Sequence, residues 1–201
     1  MPNIIEFKSR LNGGVRPNLY QVDINFPTGV GDQKSLKEQG QYLCRSTSLP
    51  THSQGLIEVP FRGRFLKIPG DRTFEAWTAT FYNTSDFNLR AAFENWINIA
   101  NQTDENIGVV GGLDSLFTDV TVRQLSKDSA GGKNSVLRTY RLVDAWPTSV
   151  GAINVAFDSN DAIEEFDVEF QYQYLDASAP GKNNVAGNTE TGFLSEPDLV
   201  V

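Results

Sequence analysis

EEFDVEFQYQYL, residues 164–175, alternates without a break. Phe166, Val168, Phe170, Tyr172 and Tyr174 fall on one side, and Glu165, Asp167, Glu169, Gln171 and Gln173 on the other. Successive side chains of an extended chain point to opposite faces, so this period of two predicts one long strand with an apolar face and an acidic-to-amide face. The apolar face needs a second layer of protein to cover it.

Other segments repeat the pattern. Leu19 to Phe26 alternates and is closed by Pro27-Thr28-Gly29. Residues 29–40 are polar and Gly-bearing and predict a loop, followed by a strand from Tyr42 to Leu49 that ends at Pro50. Leu56–Phe61 and Phe65–Ile68 read as two short strands around a tight Arg62-Gly63-Arg64 turn, with Pro60 favouring an edge position. Gly70-Asp71-Arg72-Thr73 reads as a turn, and Thr73 to Tyr82 as a strand with aromatics on both faces. From Ser85 to Asn101 the period changes: Leu89, Phe93, Trp96 and Ala100 form one helical stripe, with Ser85 as the expected N-cap. This is the one helix the pattern supports. Strands follow at Phe117–Leu125 and Val136–Trp146, the second ended by Pro147, joined by a turn over Lys127–Asn134. Ala152–Phe157 and a turn at Asp158–Asp161 precede the opening segment. Residues 1–18 read as an N-terminal arm, and Asp176–Val201, which has no period, as a flexible extension. The sum is a mainly β sandwich or barrel, residues 19–175, with one flanking helix.

Composition excludes more than it assigns. The 201-residue chain has a formal net charge of −8. An acidic surface opposes nucleic-acid binding, whose affinity comes from Lys and Arg releasing phosphate counterions. No run reaches the roughly 18 apolar residues of a membrane span. The N-terminal residues MPNIIEFKSR do not form a signal peptide, and the single cysteine, Cys44, cannot close an internal disulfide, so a reducing cytosolic origin is expected. The single histidine, His52, reads as an exposed loop residue, and with one distant cysteine it makes neither a metal site nor a nucleophile–base pair. There is no phosphate-binding loop, and Gly111-Gly112 and Gly131-Gly132 read as turn glycines. A calcium loop starting at Asp158 fails, because its fifth and sixth positions are Ala162 and Ile163 instead of an oxygen ligand and glycine. No catalytic, cofactor or metal residue is expected, which argues against a hydrolase. A glycan-binding module would need an exposed aromatic platform, but Trp77, Trp96 and Trp146 read as core.

Three charged groups remain. The carboxylates of Glu165, Asp167 and Glu169 form either a simple solvated face or one that repels an anion. Arg62, Arg64 and Lys67 suit either a phosphate or acidic patches on a neighbouring copy. Asp71 would tie its turn through backbone N–H groups, leaving Arg72 to pair with a carboxylate on an adjacent strand or chain.

Ordered short motifs then bring a family into view. Arg16-Pro17-Asn18-Leu19-Tyr20-Gln21-Val22, Gly70-Asp71-Arg72-Thr73-Phe74 with Trp77-Thr78, Trp146-Pro147-Thr148-Ser149-Val150-Gly151, Asp158–Asp161 and Glu164-Glu165-Phe166 with Val168 resemble the tail tube proteins of contractile-tailed bacteriophages over about residues 10–175. The resemblance implies a virion protein, assembled in the host cytoplasm, whose six-membered rings stack into a hollow inner tube. That tube would sit inside a contractile sheath and start on a baseplate. A tape-measure protein would limit its length, a terminator would cap it, and double-stranded DNA would pass through it unbound. A type VI secretion or related contractile injection inner tube is the same-fold alternative. In either tube, Glu165, Asp167 and Glu169 become candidate lumen residues. Arg62, Arg64, Lys67, Asp71 and Arg72 become candidate inter-subunit residues, on an arm spanning residues 42–72.

Overall fold

The computed structural model describes residues 3–11, 14–103, 108, 115–127 and 136–178. Two sheets share one long strand. β1 (Tyr20–Ile24), β6 (Thr118–Leu125), the first part of β7 (Val136–Val150) and β9 (Tyr174–Ser178) form the first. The last part of β7, with β8 (Glu165–Gln171), β5 (Trp77–Tyr82) and β2 (Cys44–Thr47), forms the second. All pairings are antiparallel. A separate hairpin, β3 (Ser53–Phe61) with β4 (Arg64–Thr73), stands apart from both sheets.

The core lies between the sheets and α3 (Asn88–Ala100), and it is assembled from the predicted periodicities. Val22 and Ile24, Val120 and Val122, Trp77 and Phe81, and Phe166, Val168 and Phe170 are all buried. The helical stripe Leu89, Phe93 and Trp96 is buried against them. Phe93 touches the rings of Phe26, Phe81, Phe166 and Phe170 at centroid distances of 5.3–6.4 Å. The buried Trp96 indole donates to the Leu116 carbonyl at 3.0 Å. A helix therefore covers one face of the second sheet and leaves the other outside.

Several expectations are corrected. Residues 29–40 are not a loop throughout: α2 (Gln33–Leu43) occupies most of them, with Asp32 accepting from the Lys34 N–H as N-cap. Its only buried side positions are Leu36 and Gly40, too few to set up a visible period. The strand predicted from Tyr42 consequently begins at Cys44 and pairs with β5, so it belongs to the sheet and not to the arm. A third helix, α1 (Ile4–Leu11), sits in the predicted arm with no buried residue. Ser85 does not cap α3. Phe87 holds the N-cap position with φ 54° and no side-chain bond, while the Asp86 carboxylate accepts from Thr84 and from the Asn88 N–H. Those bonds, Thr84's foremost, hold the Asp86 carboxyl below its ordinary value.

Two predicted strands turn corners. Pro147 does not end β7, which continues to Val150 across a bulge between Pro147 and Ser149. Asp144, at φ 53°, marks where β7 passes from one sheet to the other, and its N–H donates to Asp119 at 3.3 Å. The opening segment bends at the same corner. β8 stops at Gln171, and β9 resumes with the opposite phase, so Leu175 and Ala177 are buried and Tyr174 is exposed. A one-residue change of phase swaps the faces of a strand, and local alternation cannot register it. Asp176–Ser178, assigned to the extension, pair with β7. The remainder of the extension and both Gly-Gly pairs lie outside the described residues. Ala152–Phe157 takes part in no strand. Trp146 is half-buried against Phe117, ring centroids 5.1 Å apart, instead of fully in the core.

Candidate functional site

The outer face of the second sheet carries the three carboxylates. The register sets Glu165 beside Tyr82, Asp167 beside Thr80, and Glu169 beside Thr78 and Ser149. The sequence reading of one polar face therefore holds, but the three acids differ in surroundings. Glu165 forms an ion pair with Arg45, which reaches across β5 from a bulge in β2. A bulge inserts one unpaired residue and re-aims its side chain. Asp167 accepts from the Thr80 hydroxyl at 2.6 Å. Among the described residues, the Glu169 carboxylate has no donor. Sequence reasoning missed Arg45, because its partner lies 120 positions away and no local pattern marks it.

Below Arg45 the sheet is sealed. The Tyr20 hydroxyl donates to the Cys44 carbonyl at 3.0 Å and to the Arg45 carbonyl at 2.5 Å. Burial, with Cys44 close by, pushes the Tyr20 phenol up to about 12. Burial likewise pushes the Cys44 thiol up to about 12, against a smaller opposing effect of the Tyr20 hydrogen bond. A thiol reacts as thiolate, so this cysteine is poorly suited to chemistry at neutral pH. His52 is an exposed loop residue.

The five residues expected at an inter-subunit surface do not form one cluster. Arg62 and Arg64 flank the hairpin tip, where Arg62 (φ 45°) and Gly63 (φ 78°) make the two-residue turn that matches strand twist. Arg62 lies over the Phe61 ring at 5.4 Å. Lys67 stands mid-strand, 3.6 Å from Glu58 on β3. Asp71 and Arg72 are at the base, roughly 27 Å from the tip at 3.4 Å per residue. They are not in a turn: Gly70 to Thr73 is β4 itself, paired with β3 beside a bulge. Glycine suits position 70 because a Cβ there would stand 3.0 Å from the Gly55 backbone, a tight contact that the strand pair would have to relieve. The Asp71 carboxylate has no hydrogen-bond partner among the described residues, so it does not tie a turn. Arg72 lines a cleft of about 340 Å³ with His52, Arg138 and Leu175.

The hairpin is apolar as well as basic. Ile57, Val59, Phe61, Leu66 and Ile68 share one face by register, and all are exposed. The loop from Gly151 to Glu164 exposes Val155, Phe157 and Ile163, and α1 exposes Ile4, Phe7 and Leu11. A monomer rarely leaves apolar patches like the hairpin face to water. Among the described residues, no cluster of His, Cys, Asp or Glu suits a metal ion. The arrangement is one of surfaces to be covered by protein.

Comparison with known proteins agrees. The family model described as "Phage tail tube protein" matches residues 15–177. Tail tube protein gp19 of Enterobacteria phage T4 is 32% identical over 160 residues, covering 79% of this chain and 89% of that protein. The tail tube protein of Serratia phage KSP90 is 29% identical over 175 residues, covering 86% and 95%. Among solved structures, a chain of the sheath-tube complex of an extracellular contractile injection system, PVC, in its extended state superposes with a TM-score of 0.54 at 18% identity, covering 85% of this chain and 97% of that one. The chain belongs to the phage tail tube protein family, as a structural component of the virion tail and not an enzyme.

Proposed function

We propose that six copies close a ring through the second sheet, and that the rings stack into the inner tube through which the phage genome leaves. The observation that carries this reading is the sheet's construction. One face is sealed by α3, the other is polar and acidic, and among the described residues β2 pairs only with β5 and the last part of β7 only with β8. Two open edges on a sheet invite pairing with another chain. Joining β2 of one copy to β7 of the next closes a ring by rotation, a heterologous interface without loose ends.

The dimensions suit passage of a duplex. Six sheets of four strands make 24 strands. At about 4.8 Å per strand the wall has a circumference of roughly 115 Å and a diameter of roughly 37 Å, before strand tilt widens it. Inward side chains take up about 5 Å on each side, half of a face-to-face sheet spacing, and leave room for DNA. The inward face would carry Glu165, Asp167 and Glu169. At −8 per copy, six copies hold a formal −48. Such a wall offers DNA no counterion-release affinity, so the genome slides without being held. The β3–β4 hairpin serves as the arm to a neighbouring subunit, since an isolated two-stranded hairpin is marginal in water. Sheath, baseplate, tape-measure and terminator proteins are the remaining expected partners.

Electron microscopy of the purified chain tests the reading. Rings or tubes should form without any ligand, with the three carboxylates on the bore. Tubes in which all three face outward or into a protein contact refute the assignment of this face. A chain that stays monomeric at high concentration refutes the assembly itself.

A further inference from the structure

The tube reading leaves open what receives the hairpin, and the two ends of the second sheet answer differently. Thr47, Trp77 and Gln171 mark one end, and Cys44, Tyr82 and Glu165 the other. The hairpin leaves from the first end, because β3 follows Thr47 and β4 leads into Trp77. The loop from Gly151 to Glu164 joins Val150 to Glu165 and so lies at the second end. Copies stacked along the strand direction therefore bring the hairpin of one against this loop of the next.

We infer that the loop at residues 151–164 is the docking site for the hairpin of a second copy in the adjacent ring; this rests on the stacked-ring reading above. The two surfaces complement each other in both charge and polarity. The hairpin tip presents Arg62 and Arg64, both exposed, while Lys67 is already paired with Glu58. The loop presents Asp158, Asp161 and Glu164, all exposed, with Glu164 also accepting from Asn83 at 2.9 Å. The apolar face of Ile57, Val59, Phe61, Leu66 and Ile68 needs an apolar counterpart. The loop supplies Val155, Ile163 and the fully exposed Phe157. Between the loop and the start of β8 runs an open cleft of about 430 Å³, walled by Ile153, Val155 and Ile163. Among the described residues, nothing covers either surface. Because hairpin and loop are different patches at opposite ends, their contact is heterologous and open, and it propagates a filament.

Charge reversal with rescue tests the pairing in the full chain. Arg62→Glu with Arg64→Glu, and separately Asp158→Lys with Asp161→Lys, should each lower tube yield by about tenfold or more while leaving the circular dichroism spectrum unchanged, because like charges then face each other across the contact. All four changes together should restore tubes. A second measurement uses Arg64→Cys with Ser159→Cys in a Cys44→Ser background. Oxidised tubes should run as a ladder of covalent multimers, since a disulfide needs Cα atoms within about 7 Å. Normal assembly of both reversed pairs, failure of the combination to rescue, or tubes without a ladder overturns the docking site and leaves the tube reading intact. Wild-type protein that forms no tube refutes the tube reading instead.

Discussion

Phe93→Ala should cost the subunit about 5 kcal/mol, the upper end of the range for deleting a buried Phe. The reason is position. Phe93 is wholly buried and meets four other rings, so truncation removes transfer energy, opens a cavity and breaks every ring pair at once. Two of those rings, Phe166 and Phe170, stand on β8, and Phe81 stands on β5. The residue therefore ties α3 to the two central strands of the second sheet. Domains are stable by about 5–15 kcal/mol, so the loss is a third or more of the total. With a urea slope of about 2 kcal/mol/M, the unfolding midpoint should fall by roughly 2.5 M. The assay is urea unfolding followed by fluorescence of the buried Trp77 and Trp96, at a concentration where wild type sediments as monomer. Phe157→Ala is the control: an exposed side chain off any special feature should move the midpoint by no more than about 0.25 M. A drop of less than about 0.5 M for Phe93→Ala would falsify the claim that Phe93 ties α3 to the central strands of the second sheet.

Further outcomes follow from the same geometry. Gly70→Val places a Cβ 3.0 Å from the Gly55 backbone, so the base of the hairpin must shift; tubes should vanish in negative stain while the urea midpoint of the monomer stays within about 0.5 M of wild type. Cys44, with its thiol pushed up to about 12, should resist iodoacetamide at pH 8 in the folded protein and react on unfolding, as mass spectrometry would show. Folded-state values raised above the unfolded ones favour the protonated forms. The Cys44 and Tyr20 contributions are therefore complete below about 9, the ordinary thiol value, and are lost as pH rises through about 12. The urea midpoint should fall across that window, and less steeply in Cys44→Ala.

Sequence and structure agree where a signal is local. Strands β5, β6 and β8 carry alternation because each has one face in the core and one outside, while β1 alternates in residue type although Asp23 is buried with Val22 and Ile24. The α3 stripe is legible for the same reason at helical spacing. α2 escaped because Leu36 alone among its side chains is a buried apolar anchor, and an N-cap aspartate before a polar run looks like a loop. At the site, the shared face of Glu165, Asp167 and Glu169 was readable from their spacing. The salt link from Arg45 to Glu165 was not, nor was the exposure of Phe157, which alternates with Val155 as a strand residue would but has no strand beside it.

By itself, the sequence determined most of the apolar faces that are buried, the acid excess, the hairpin turn at Arg62-Gly63 and, through its ordered motifs, the family. These depend on neighbours a few positions apart, where the periods of strand and helix act. The tertiary structure alone decided where strands bend, which strand Gly70-Asp71-Arg72-Thr73 joins, and which ends of the sheet the hairpin and the 151–164 loop occupy. Each of those depends on a partner distant in sequence, and burial, pairing and phase are settled only when that partner is in place.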